Sequence, residues 1–132
     1  MKGYSDNIEE LTLSNGSFRK VLYTGNNLQL VLMSLKPSEE IGMEVHNDND
    51  QFFRFESGTG KVLIDDNEYD VADGSAVVVP AGAQHNVINT SDVEDLKLYT
   101  IYSPPHHKDG IVRTTKLEAE QNEEDFDGLT TE

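Results

Sequence analysis

Four histidines, 25 acidic side chains and no cysteine bound the chemistry open to this chain. Disulfides and thiolate metal sites are excluded, so any metal must sit on imidazole, carboxylate, amide or water. The most informative run is Gly74-Ser-Ala-Val-Val-Val-Pro80-Ala-Gly82-Ala-Gln-His85-Asn-Val-Ile-Asn89. Gly74 turns the chain into an apolar strand, Pro80 ends it, and Gly82 permits a tight reversal. His85 then opens the returning strand, where a period of two puts His85, Val87 and Asn89 on one face. Upstream, Glu44 and His46 stand two residues apart on an expected strand, so both side chains can point the same way.

These residues need strands to hold them, and the middle of the chain supplies a series. Phe18–Thr24, Leu28–Leu35, Gln51–Glu56, Lys61–Ile64, Glu68–Val71, Ala76–Val79, Gln84–Asn89 and Leu96–Tyr102 are rich in β-branched and aliphatic residues. Turn chemistry separates them, as at Gly25-Asn26-Asn27, Asp65-Asp66-Asn67 and Asp73-Gly74. Many short strands at even spacing predict an antiparallel sandwich or closed barrel. Pro104-Pro105 stops the last strand, and Thr115-Lys116-Leu117-Glu118 has capping-box spacing for a short helix through about Asn122. Glu123, Glu124, Asp125, Asp127 and Glu132 form an acidic tail that is expected to be poorly ordered. At 132 residues the chain fits one domain. Its expected division is an N-terminal segment over 1–17, a barrel over 18–105, and a loop, short helix and tail over 106–132.

The Gly74–Asn89 run matches, at every defined position, the pattern G-x5-P-x-G-x2-H-x3-N, and so resembles the second cupin motif. The stretch from Pro37 to Gly58 keeps the spacing of the first cupin motif with altered letters: Glu44 stands at the first histidine and Gln51 at the glutamate, while His46 is the second histidine. The resemblance runs from about Phe18 to Tyr102 and implies an all-β fold, the double-stranded β-helix or jelly-roll barrel of cupins. Carried over residue by residue, it implies that Glu44, His46, Gln51 and His85 fill the metal-ligand slots. Their formal charge equals that of three histidines and one glutamate, because the carboxylate has moved and the amide is neutral. Two histidines with one carboxylate suit non-haem iron, zinc, manganese or nickel, so one divalent transition metal is the expected cofactor. With Gln51 facing inward, Phe53 and Phe55 line the pocket above it, as Val87 does beside His85.

The segments around Gln51, Pro80 and Tyr102 look like small single-domain cupins of the mannose-6-phosphate isomerase-like kind. That resemblance implies a metal-dependent isomerase or oxygenase acting on a small molecule inside the barrel, and a homodimer. A non-catalytic sugar-binding or sensory module, with or without metal, remains the alternative reading. Arg54 and Lys61 are the only positive charges between Lys36 and Lys97, which leaves no basic cluster there for a sugar phosphate.

A net charge of -15 repels phosphate backbones and anionic membranes, so neither nucleic acid nor membrane is an expected partner. Met1–Glu10 lacks a signal-peptide core, and Leu28–Leu35 is too short to span a bilayer, which makes a cytoplasmic protein the expectation. His106 and His107 follow two prolines and are read as an exposed polar loop. Tyr99 and Tyr102 fall on opposite faces of the last strand, so at most one can face a cavity.

Overall fold

The computed structural model describes residues 1–132 as ten strands and two short helices. In chain order these are α1 (Ile8–Ser14), β1 (Arg19–Thr24), β2 (Gln29–Leu35), β3 (Glu44–Val45), β4 (Asp50–Ser57) and β5 (Thr59–Ile64). There follow β6 (Asn67–Ala72), β7 (Ala76–Val79), β8 (Gln84–Asn89), β9 (Leu96–Ser103), β10 (Val112–Arg113) and α2 (Lys116–Gln121). All pairings are antiparallel. One sheet has the order β10-β1-β2-β9-β4-β7 and the other β3-β8-β5-β6. This is the jelly-roll barrel that the sequence predicts, with the expected short helix near the C-terminus.

Alternation decides what lies between the sheets. Along β9, Leu96, Leu98, Thr100 and Tyr102 are buried while Lys97, Tyr99 and Ile101 are only half-buried. Register makes layers of these inward residues. Leu98 is opposite Met33 and Phe55, Thr100 opposite Val31 and Phe53, and Tyr102 opposite Gln29 and Gln51. The interior is therefore apolar toward Leu96 and polar toward Tyr102. Phe53 and Phe55 have no exposed surface and belong to the main core cluster with Val31, Val62, Val87 and Leu98. Each such side chain contributes roughly 1.5–3 kcal/mol of hydrophobic stabilisation.

Three features depart from the expected organisation. Helix α1 lies in the N-terminal segment, capped by Asn7, whose side chain accepts from Glu10 N at 3.0 Å. It packs on β2, β4 and β9, and so accounts for burial of the outward-facing Leu32 and Ser34. Strand β10 extends the larger sheet beyond position 105 by pairing with β1. The acidic tail folds back on the barrel instead of trailing away: Phe126 N donates to His106 O at 3.0 Å, and Thr131 N to Thr24 O at 2.9 Å. Tail carboxylates are also paired, Glu124 with Lys108 and Arg113, so like-charge repulsion does not free the segment. No helix is long and apolar enough to cross a membrane.

Candidate metal centre and its cleft

Strand β3 pairs with β8 so that Glu44 stands opposite His85. The loop between β7 and β8 fixes His46 as well. Gly82 adopts φ +90°, a left-handed conformation that favours glycine, and its N–H donates to His46 O at 2.9 Å. Segment 39–42 is strapped to β8 by Ile41 N to Val87 O and Asn89 N to Glu39 O, each 2.9 Å, and by Gly42 N to Asn86 Oδ1. Asn89, the last residue of the motif, donates its amide to Leu35 O, Lys36 O and Glu94 O. Its role is to hold the barrel end together.

The side chains converge. His46 Nε2 donates to Glu44 Oε2 at 3.1 Å, and His85 Nε2 lies 4.0 Å from the same oxygen. Ligand atoms of the three residues all fall within 4.8 Å of one another. Donors about 2.0–2.2 Å from a shared ion lie roughly 3–3.5 Å apart, so slight closure suffices to share one. His85 Nδ1 donates to Ala83 O at 3.2 Å, which leaves the lone pair on Nε2. That Nε2 is buried and has no hydrogen-bond partner. Burial, with the charge of His46, pushes the His85 pKa down and keeps the ring in the neutral, ligating form. Burial alone would raise the Glu44 carboxyl. The hydrogen bond and charge of His46, with Arg19 and His85, hold it below the usual carboxylate value. The residues present therefore fit a divalent metal.

Gln51 also faces inward, but its Nε2 donates to Thr100 Oγ1 at 3.0 Å, and the buried Oε1 has no partner. It therefore offers a carbonyl oxygen next to the hydroxyl layer. Phe53, Phe55 and Val87 require a correction: they are sealed in the core and none lines the cleft beside the cluster. Their inward direction is as expected, but they sit in apolar layers below the polar one. Asp50 faces the other way, its carboxylate accepting from Ala81 N. Of the two tyrosines, Tyr102 is the buried one, its ring 5.9 Å from that of His46.

The cleft has a volume of about 300 Å³ and is lined by Arg19, Glu44, His46, His106, His107 and residues 122–125, among others. His106 and His107 were expected in an exposed loop, and this is the second correction. His107 is buried, and the His106 ring lies 4.3 Å from that of His46. The cause is Gln29, whose Oε1 accepts from His106 N and His107 N while its Nε2 donates to His107 O and Thr24 Oγ1. Burial, followed by the charge of Arg19, pushes His107 down to about 2, and a 3.2 Å hydrogen bond joins it to the Tyr102 hydroxyl. Burial also lowers His106. Arg19 went unnoticed in the sequence because nothing marks an arginine at a strand start. Gln29 was visible as a polar interruption of an apolar strand.

Residues 31–102 match the family model described as Cupin domain. The chain is a cupin. It is 46% identical over 124 residues to the uncharacterized protein YrkC of Bacillus subtilis (strain 168), and 47% identical over 112 residues to the uncharacterized protein L612 of Acanthamoeba polyphaga mimivirus. Those alignments cover 89% and 83% of this cupin, and 66% and 70% of the relatives, which are longer. The crystal structure of BH2720 from Bacillus halodurans is similar throughout, with a TM-score of 0.89 and 42% identity. That match covers 92% of this cupin and 96% of BH2720.

Proposed function

We propose that this cupin binds one divalent transition metal on Glu44, His46 and His85 and acts on a small molecule in the adjoining cleft. The observation that carries this reading is the buried His85 Nε2, which has a free lone pair, no partner, and Glu44 Oε2 at 4.0 Å. A buried polar atom left unpaired is costly, and a metal removes that cost. When bound, an ion on two imidazoles and one carboxylate supplies Lewis acidity with positions open to ligand or dioxygen, the set typical of ferrous oxygenases. The chain's own contribution is orientation. Ala83 O fixes the His85 ring, Gly82 N holds the His46 carbonyl, and the Gln51 amide is pinned by Thr100.

An oxygenase-type reaction has more support than a sugar-phosphate isomerase-like one. A phosphate dianion calls for clustered cations. Around the cleft, Arg113 already donates to Asn122 O and Glu124 Oε1, which leaves Arg19. The test is elemental analysis of untagged protein, as purified and after addition of Fe²⁺, Zn²⁺, Mn²⁺ or Ni²⁺, beside the His46→Ala, His85→Ala double variant. About one equivalent in the wild type, lost in the variant, is the expected result. Wild type and variant equally empty after metal addition would overturn the proposal.

A further inference from the structure

Arg19, the first residue of β1, points inward and is 9% exposed. Its Nε is buried without a hydrogen-bond partner, and it takes part in none of the chain's ion pairs. The chain carries 25 carboxylate side chains, yet none is paired with its most buried cation. The guanidinium carbon lies over the Phe18 ring, 5.4 Å from its centroid, and the Glu44 carboxylate acts on it without a direct contact. Arg113 makes the contrast plain. It is spent on Val112 O, Asn122 O and Glu124 Oε1.

A guanidinium whose Nε is buried and which has no carboxylate in contact is costly, Glu44 acting on it only through space, and arginines this deep are ordinarily paired. The side chain also lines the same 300 Å³ cleft as Glu44 and His46. We infer that the cleft takes a small monocarboxylate, its carboxylate on the Arg19 guanidinium and its second polar group toward the Glu44–His46–His85 cluster. The planar fork of arginine matches a carboxylate with two parallel hydrogen bonds. One guanidinium balances one negative charge, and Glu123, Glu124 and Asp125 on the same cleft disfavour a more highly charged anion. The polar group's destination rests on the metal reading above; the carboxylate's place on Arg19 does not.

The test uses the full chain, first stripped of metal and then reloaded with Zn²⁺. Acetate, lactate and pyruvate are titrated in by calorimetry, with the neutral pyruvamide as control. At least one carboxylate is expected to bind the stripped protein roughly tenfold more tightly than pyruvamide, and Arg19→Gln to abolish that preference. The metal content of Arg19→Gln should equal that of the wild type, so failure here is separable from failure of the metal site. Should Arg19→Gln misfold, the wild type still decides. The Arg19 side-chain Nε–Hε signal should shift on addition of the bound carboxylate. No binding of any carboxylate, equal binding of pyruvamide, or an unmoved Arg19 signal would overturn the inference.

Discussion

The cleft has two walls that are built by different means. One carries Glu44 and His46, on β3 and just after it, backed by the buried His85 on the paired strand β8. Its order comes from backbone hydrogen bonds, and the side chains inherit it: Gly82 N to His46 O on one side, His85 Nδ1 to Ala83 O on the other. The opposite wall is Arg19, His106, His107 and residues 122–125. There, apart from Arg19 on β1, segments far apart in sequence are tied by a few backbone bonds such as Phe126 N to His106 O, by side chains, above all Gln29, and by charge pairs such as Arg113 with Glu124. The difference teaches a division of labour. A strand-borne wall can hold metal donors within ångström tolerance, whereas a wall of loop and tail can change its polar groups without disturbing the barrel.

The largest expected effect breaks the second wall at its clamp. Gln29→Leu removes three hydrogen bonds to the His106–His107 backbone and one to Thr24. At about 1 kcal/mol each for groups left buried, the loss of four bonds should be roughly 4 kcal/mol in urea denaturation. Metal stoichiometry should stay that of the wild type, because none of these bonds touches Glu44, His46 or His85. A loss below about 1 kcal/mol would mean that water replaces the amide, and that Gln29 is not what holds this wall.

The same asymmetry governs what could be read from the sequence. Alternation along 96–102 marks that strand, and the Gly74–Asn89 pattern places His85, because a period-two repeat and a tight turn are local physics. Glu44 and His46 follow from spacing on one strand. Arg19, His106 and His107 do not, since their place depends on β10, α2 and the tail closing over β1. Helix α1 was missed because seven residues give too few turns for a clear period, although the apolar Leu32 on the outer face of β2 required a cover. Phe53 and Phe55 show the limit of alternation, which fixes the face of a residue and not its depth.

Acid should separate the walls less strongly than the clamp mutation. Burial, followed by the charge of Arg19, pushes His107 down to about 2 from its ordinary value of 6.5. Below pH 6.5 the unfolded chain therefore takes up a proton that the folded one refuses, and stability falls as pH falls. The slope from His107 alone approaches about 1.4 kcal/mol per pH unit well below pH 6.5, or roughly 1.6 kcal/mol in all between pH 6.5 and 5. His106 and His85, also pushed down mainly by burial, act in the same direction. Glu44, held below its usual value of 4.5, adds its loss only under that pH, as the unfolded carboxylate begins to protonate. Denaturation of the metal-free protein across this range should show the slope, and His107→Gln should flatten it. An unchanged slope in His107→Gln would assign the effect to His106 and His85 instead.

The smallest effect tests whether the walls are separate units at all. Thr115 caps α2, its Oγ1 accepting from Glu118 N at 3.1 Å while Glu118 Oε2 accepts from Thr114 N at 3.0 Å. Thr115→Ala should cost about 1 kcal/mol, the usual worth of such a cap. Helix α2 leads directly into Asn122–Asp125, so its fraying should loosen only the tail side of the cleft. Hydrogen exchange reads this residue by residue. The amides of Ala119 and Phe126, bonded to Thr115 O and His106 O, should exchange faster in the variant. Those of Ile41 and Gly82, which hold the metal-side wall, should keep their wild-type rates. If Gly82 accelerates as much as Phe126, the two walls open together, and the tail is part of the framework that positions His46 and His85.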